Sequence, residues 1–237
     1  MQDIYQGIFP IVPTPFNDDG SLDLDGQRRV IDCMIDQGVD GLCILANYSE
    51  QFLLSDSERE ILQTLCLEHT NARVPIIATC SHFSTRIAVE RCQNAENQGA
   101  AMVMMMAPYH GALLKANDEG VYQHFEALSQ AIDIPIMIQD APLSGVTLPV
   151  PLLARLAKDF SNVSYFKIET PGTAEKLKIL LQAAGDHIDG PFDGEEGITL
   201  LADLEAGATG TMTSALACEQ IRPIVIDYLD GRLDDAE

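Results

Sequence analysis

The chain has 237 residues, 46% of them hydrophobic, and a formal net charge of −22. That length and apolar content suffice for one large core, and so acidic a surface repels nucleic acid and anionic membranes, which argues against both as partners. The six cysteines (Cys33, Cys43, Cys66, Cys80, Cys92 and Cys218) are scattered without a C-x-x-C pair, which points to reduced thiols rather than a disulfide framework. The opening MQDIYQGIF lacks the basic region and apolar stretch of a signal peptide, and no apolar run approaches the ~20 residues of a membrane span. A soluble, cytoplasmic protein is expected.

Apolar runs and helical patterns then alternate along the chain. The run at 7–13 (GIFPIVP) precedes helical spacing over 23–37, and 41–46 (GLCILA) precedes 55–69. The runs at 74–80 and 101–107 are followed by helical stretches at 84–97 and 118–131, those at 134–139 and 163–169 by 149–159 and 173–184. A run at 188–193 leads into 195–206, and the last strand is placed at 209–215. Continuous apolar runs suit strands buried on both faces. Ser55 three residues before Glu58 fits a capping box, and Ser84, Asn117 and Thr173 are candidate caps for their helices. Eight such units in ~220 residues predict a (β/α)8 TIM barrel. The rival, a doubly wound sheet, lacks support because no G-x-G-x-x-G loop follows the first strand.

In a barrel, chemistry collects at the C-terminal ends of the strands. Those positions carry Thr14; Asn47, Tyr48, Ser49 and Glu50; Cys80 and Ser81; Tyr109 and His110; Gln139 and Asp140; Lys167 and Glu169; Asp193 and Gly194; and Thr213 and Ser214. Lys167 stands out among only five lysines, because it lies inside the apolar run 163–168 while Lys115, Lys158, Lys176 and Lys178 fall in helical or loop stretches. Burying an ammonium is costly unless it pairs or loses its proton, and a neutral amine is the nucleophile that forms a Schiff base with a carbonyl. Two readings stand side by side: a Schiff-base nucleophile, or a structural ion pair with Glu169 or with an acid on a neighbouring strand. Glu169, two residues on, points to the same side of the strand, and serves either as a tether for the lysine or as a general base. The turn Asn47-Tyr48-Ser49 offers hydroxyls and N–H groups suited to a carboxylate, or it is ordinary turn chemistry. His82 and His110 stand in no group with ligand spacing, so no metal is expected. The methionines of 102–106 read as core filling, and Cys80 as a small buried residue.

These landmarks resemble the dihydrodipicolinate synthase / N-acetylneuraminate lyase superfamily of class I aldolase-type barrels. GIFPIVPTPFNDDGSLD is similar to its opening strand and turn, and ANYSEQFLLSDSERE stands where it has a G-T-T-G-E segment. APYHGALLKANDEGVYQHF resembles its P-Y-Y…Y-x-H-F stretch, IQDAPLSGVTL its Y-N-x-P strand, and YFKIE the strand that carries its Schiff-base lysine, here Lys167. The resemblance runs nearly end to end. Where the family has a catalytic tyrosine on strand 5 this chain has Gln139, and where it has two threonines this chain has Asn47 and Tyr48. A glutamine amide hydrogen-bonds but cannot act as a base, which disfavours aldol cleavage, since that reaction needs the C4 hydroxyl deprotonated. The pairing of K-x-E on strand 6 with glutamine on strand 5 resembles the 2-keto-3-deoxypentonate dehydratase branch. The resemblance implies a hydro-lyase acting on a small-molecule 2-oxo acid, converting L-2-keto-3-deoxyarabonate to α-ketoglutarate semialdehyde and water in pentose catabolism.

In that reading Lys167 forms the Schiff base, Glu169 is the acid/base and Gln139 orients the leaving hydroxyl. Asn47, Tyr48 and Ser49 hold the carboxylate, and Tyr109, Gly194, Thr213 and Ser214 complete the expected substrate-binding set. No metal or organic cofactor is needed. The alternatives are an aldolase releasing pyruvate, with Tyr109 or Tyr48 as substitute base, and a non-catalytic sugar-acid binding protein on the same barrel. A 4-deoxy-5-keto-glucarate-type dehydratase has little support, because a second carboxylate would call for a cationic partner near the strand ends. Family members are near 300 residues and tetrameric, with a helical C-terminal extension. The barrel is therefore expected over 1–218, with 219–237 as the start of a truncated extension, and the assembly as a homo-oligomer.

Overall fold

The eight apolar runs become eight parallel strands in a computed structural model, which describes residues 4–110, 114–146 and 148–236, apart from the side chains at 109, 110, 114, 115, 234 and 235. The strands are β1 (Gly7–Ile8), β2 (Leu42–Ile44), β3 (Ile76–Thr79), β4 (Met102–Met106), β5 (Ile136–Asp140), β6 (Val163–Ile168), β7 (Gly190–Asp193) and β8 (Gly210–Thr211). Each pairs in parallel with its neighbours from β2 round to β8, and β8 pairs with β1. The chain beyond β1 closes the ring on β2: Ile11 bridges Cys43 in parallel, and Val12 N donates to Cys43 O at 2.8 Å. The barrel is therefore the (β/α)8 type that the sequence predicts.

The helices are α1 (Leu24–Asp36), α2 (Asp56–Thr70), α3 (Thr85–Asn97), α4 (Asp118–Ser129), α5 (Val150–Asp159), α6 (Thr173–Ala184), α7 (Leu200–Glu205), α8 (Cys218–Leu229) and α9 (Leu233–Ala236). The capping box of Ser55 and Glu58 is present, and Asn117 accepts from Gly120 N at 2.8 Å. Asp23, unnoticed in the sequence, caps α1 by accepting from Gly26 N at 2.7 Å. Two expected caps differ. Ser84 precedes α3 without a side-chain cap bond, and Thr173 is the first residue of α6, its hydroxyl donating to Thr170 O, while Gly172 at φ 83° occupies the cap position. α7 starts at Leu200 rather than 195, because 195–199 form a loop in which Glu196 and Gly197 adopt left-handed φ of 58° and 77°. α8 packs against β1 and so completes the outer ring. Its Arg222 pairs with Asp40 at 2.8 Å, and the same Asp40 carboxylate accepts from Ile8 N at 2.9 Å. Gly7 is required beside it, since a Cβ there would stand 2.3 Å from Asp40 Oδ2. No described helix is long and apolar enough to cross a membrane.

The strands are buried on both faces, as continuous apolar runs demand. One set of alternate residues packs outward under the helices; Ile138, Phe166 and Ile168 belong to that large cluster. The other set fills the barrel, where Phe9, Ile11, Cys43, Ile77, Met102, Met104, Met137, Tyr165, Phe192 and Met212 form a separate cluster. The methionines of β4 therefore do fill core. Because the side-chain period is two, moving two residues along a strand from that plug reaches the mouth: Met137 leads to Gln139, Tyr165 to Lys167, and Phe192 to Gly194.

Candidate active site

Lys167 projects into the mouth from β6, 4% exposed, and Gln139 stands opposite it on β5 in direct register, 1% exposed. Glu169 lies one pleat beyond Lys167. Its Oε1 receives both neighbours at once, with Lys167 Nζ at 2.7 Å and Gln139 Nε2 donating at 2.7 Å. Glu169 thus joins the other two residues expected to do the chemistry. The ion pair that the sequence left as an alternative for Lys167 is present, and it places a proton acceptor directly on the amine. With its Nε2 committed, Gln139 keeps its Oε1 buried and without a hydrogen-bond partner among the described residues. An orphaned buried carbonyl costs about 1–3 kcal/mol, and a donor brought by a ligand would recover it.

Gly194 follows β7 directly beside this group. A Cβ at that position would meet Glu169 Cγ at 2.5 Å and Lys167 Cε at 2.8 Å, so only glycine lets these two side chains lie as they do. Its role in the structure is to leave a notch over them.

The β2 turn forms a single 3-10 turn, Asn47–Ser49, flanked by Leu45 and Glu50 in the left-handed region at φ 57° and 59°. Its first two N–H groups, those of Asn47 and Tyr48, precede the first bond of the turn (Ser49 N to Ala46 O, 3.0 Å) and have no acceptor inside it. Ser49 is buried, and its hydroxyl is committed: it donates to Val12 O at 2.6 Å and accepts from Ala46 N at 3.1 Å. Ser49 thus shapes the turn, and the groups it leaves open are backbone N–H donors. Thr14 reinforces the turn from the segment after β1, donating to Ser49 O at 2.8 Å. Asn47 Oδ1 is engaged by Gln51 Nε2 at 2.7 Å. Tyr48 is half exposed; partial burial, then the neighbouring Glu196 carboxylate, hold its phenol above the usual range and therefore protonated.

The loops after β7 and β8 supply the rest of the rim. Thr213 is buried and its hydroxyl donates to Ser214 O at 3.0 Å, while Ser214 N donates to the Glu196 carboxylate at 2.9 and 3.1 Å. Glu196, which no pattern in the sequence singled out because 195–206 reads as helix, also lies against the Tyr48 hydroxyl. Beneath this loop two acids are fully buried. Asp193 accepts from Glu195 N at 2.9 Å and from Thr211 Oγ1 at 2.6 Å, and Asp203 accepts from Thr199 Oγ1 at 2.6 Å. Burial pushes the Asp203 carboxyl up to about 6, with the adjacent Asp193 adding to the shift. Asp203 Oδ1 has no hydrogen-bond partner among the described residues. The signal for Asp203 was an acid inside the apolar stretch ITLLADLEA.

The remaining expectations are placed as follows. Tyr109 and His110 form a short antiparallel hairpin with Leu114–Lys115 after β4, and the Tyr109 side chain lies outside the described residues. Asp140 faces outward, where Lys176 of α6 pairs with it; burial raises its pKa against the pull of that lysine. Cys80 is buried, as are the other cysteines except Cys33. His82 stacks on Phe83, with ring centroids 4.3 Å apart.

Comparison with known proteins agrees with this geometry. Residues 4–237 match the model of the dihydrodipicolinate synthetase family. The chain is 54% identical to an L-2-keto-3-deoxyarabonate dehydratase of Azospirillum brasilense over 98% of its own length and 75% of that protein's. It is 29% identical to a 4-hydroxy-tetrahydrodipicolinate synthase of Methanothrix thermoacetophila, over 99% of this chain and 78% of the other. Among solved structures, a dihydrodipicolinate synthase from Thermotoga maritima superposes with a TM-score of 0.89 at 27% identity, covering 99% of this chain and 79% of that one. A prophage protein of the same family from E. coli, in complex with pyruvate, gives 0.88 at 26% identity over 99% and 78%. With the barrel, the lysine on β6 and a family match over nearly its whole length, the chain belongs to the dihydrodipicolinate synthetase family.

Proposed function

We propose that the protein is a Schiff-base hydro-lyase that dehydrates a 2-keto-3-deoxy sugar acid, L-2-keto-3-deoxyarabonate, to α-ketoglutarate semialdehyde. The observation that carries this reading is the Lys167–Glu169–Gln139 contact, a base and an amide where family aldol chemistry has a tyrosine, in a chain 54% identical to a dehydratase of that substrate.

The substrate carboxylate docks on the Asn47 and Tyr48 N–H groups, which brings the C2 ketone to Lys167. Glu169 takes a proton from the ammonium, and the free amine adds to C2; loss of water gives an iminium that acidifies the C3 protons. Glu169 removes one of them. The C4 hydroxyl donates to the waiting Gln139 Oε1, which fixes its direction, and Glu169 returns its proton to that oxygen as it departs as water. One carboxylate thus serves as base and then as acid, and the amide cannot divert the reaction by deprotonating the hydroxyl. Tyr109, Gly194, Thr213 and Ser214 are proposed to line the remainder of the substrate site. A cytoplasmic homotetramer working in pentose catabolism is part of the same proposal. It draws support from the family and from apolar side chains exposed at Leu53, Phe83, Ile198 and Leu216.

The test is incubation with L-2-keto-3-deoxyarabonate and identification of the product by NMR. α-Ketoglutarate semialdehyde is expected from the unaltered protein, with a loss of at least ~10⁴-fold in Lys167→Ala, the scale at which removing a covalent nucleophile acts. Pyruvate with glycolaldehyde would contradict the dehydratase reading.

A further inference from the structure

Water loss is only half of the proposed reaction. After it, C2 is an iminium, C3 and C4 share a double bond, and C5 is still a CH2OH group. The aldehyde product has CH2 at C3 and C4 and CHO at C5, so an isomerisation must follow. A C5–H bond breaks and its electron pair forms C4=C5; C3=C4 shifts to C2=C3, and the iminium nitrogen takes up the displaced pair. Protonation at C3 restores the iminium. Protonation at C4, with loss of the C5 hydroxyl proton, then turns the enol into the aldehyde. C5 is oxidised while C3 and C4 are each reduced within one molecule, so no outside oxidant is required. The step does require a base at C5.

Glu169 is pinned at the other end of the reacting segment, its Oε1 held by Lys167 and by Gln139 at 2.7 Å each. The way past it is the notch that Gly194 leaves over Lys167 and Glu169. Two residues along the same loop stands Glu196, whose two oxygens share the Ser214 N–H and face the Tyr48 hydroxyl. A five-carbon acid bonded at C2 to Lys167, with C4 at Gln139, has its terminal carbon left to lie in that notch between the two carboxylates. We propose that Glu196 is the catalytic base that removes the C5 proton in the isomerisation following water loss. The Tyr48 phenol lies beside it, where it can hydrogen-bond the C5 hydroxyl and hold C5 against that carboxylate. This assignment rests on the dehydratase reading above and extends it to the second half of the reaction.

The experiment follows the unaltered protein and Glu196→Gln with L-2-keto-3-deoxyarabonate by NMR, repeated with substrate carrying two deuterons at C5. Glu196→Gln should keep water loss while aldehyde formation falls at least ~100-fold, the usual worth of a general base. Its product should show vinyl protons at C3 and C4 beside an intact CH2OH, and deuterium at C5 should slow the residual aldehyde. Aldehyde at the unaltered rate, or an equal fall in water loss and aldehyde with no vinyl product, overturns the assignment alone. If the unaltered protein does not dehydrate the substrate, the dehydratase reading fails and the assignment falls with it. Should Glu196→Gln yield no soluble protein, Glu196→Asp carries the test: slower aldehyde formation with unchanged water loss supports the assignment, and equal slowing of both overturns it.

Discussion

The inside of this barrel is two materials on one set of strands. The lower layer, with Met104, Met137, Tyr165 and Phe192, is an apolar plug. One pleat higher, the same strands present Gln139, Lys167 and Gly194, and the packing gives way to hydrogen bonds, one ion pair and an unpartnered carbonyl. The plug is saturated with contacts, so its worth is stability. The mouth is left incomplete: it holds an amide oxygen without a partner among the described residues and a glycine whose missing side chain leaves the notch. The plug and the candidate site are separated by about 7 Å along a strand, twice the strand rise per residue.

Substitutions in the two layers should therefore fail in different ways. The largest effect after loss of Lys167 itself is expected in the plug. Met137→Ala should cost about 2–5 kcal/mol of stability, the range for truncating a buried methionine, with kcat at 25 °C nearly unchanged; denaturant melts and initial rates together check this. A large fall in kcat at full stability would mean that the plug positions the chemistry and the two layers are not separate.

The helical shell gives a pH signature of its own. His124 on α4 is buried with Nε2 unpartnered, and burial brings its pKa down to about 4 from the ordinary 6.5. The unfolded chain binds the proton first, so stability should decline as pH falls from about 6.5 to 4, by about 3 kcal/mol in full. In His124→Leu that acid-side decline should flatten; an unchanged slope in thermal melts across this window would show that other groups carry it.

In the mouth, Gly194→Ala should fold normally and lose about 10²-fold in kcat/KM, because the new Cβ displaces Lys167 and Glu169 from their contact, and misplacement by about 1 Å is worth that much. A stable Gly194→Ala protein with full activity would show that the notch is not part of the site.

The same contrast explains what could be read from the sequence. The barrel was legible because strands buried on both faces must be continuous apolar runs, and eight of them alternate with helical spacing. Lys167 was legible because a charge inside such a run is conspicuous, and Glu169 because a period of two puts it on the same side. Ser49 shows the limit of a sequence: a hydroxyl in a turn offers itself there, while the fold engages it with Val12 O and Ala46 N. Glu196 stayed hidden because 195–206 scans as helix, and only the left-handed backbone at Glu196 and Gly197 shows that the helix starts later. Nothing local marks Gly194 as a packing glycine either, since the side chains it would strike belong to another strand.

The most direct measurement of the central claim is the mass of the protein quenched with borohydride during turnover of L-2-keto-3-deoxyarabonate. The expected result is a reduced five-carbon adduct on Lys167 that has lost the elements of one water relative to the substrate adduct, absent in Lys167→Ala. A three-carbon pyruvate adduct, or no adduct at all while product still forms, would contradict it.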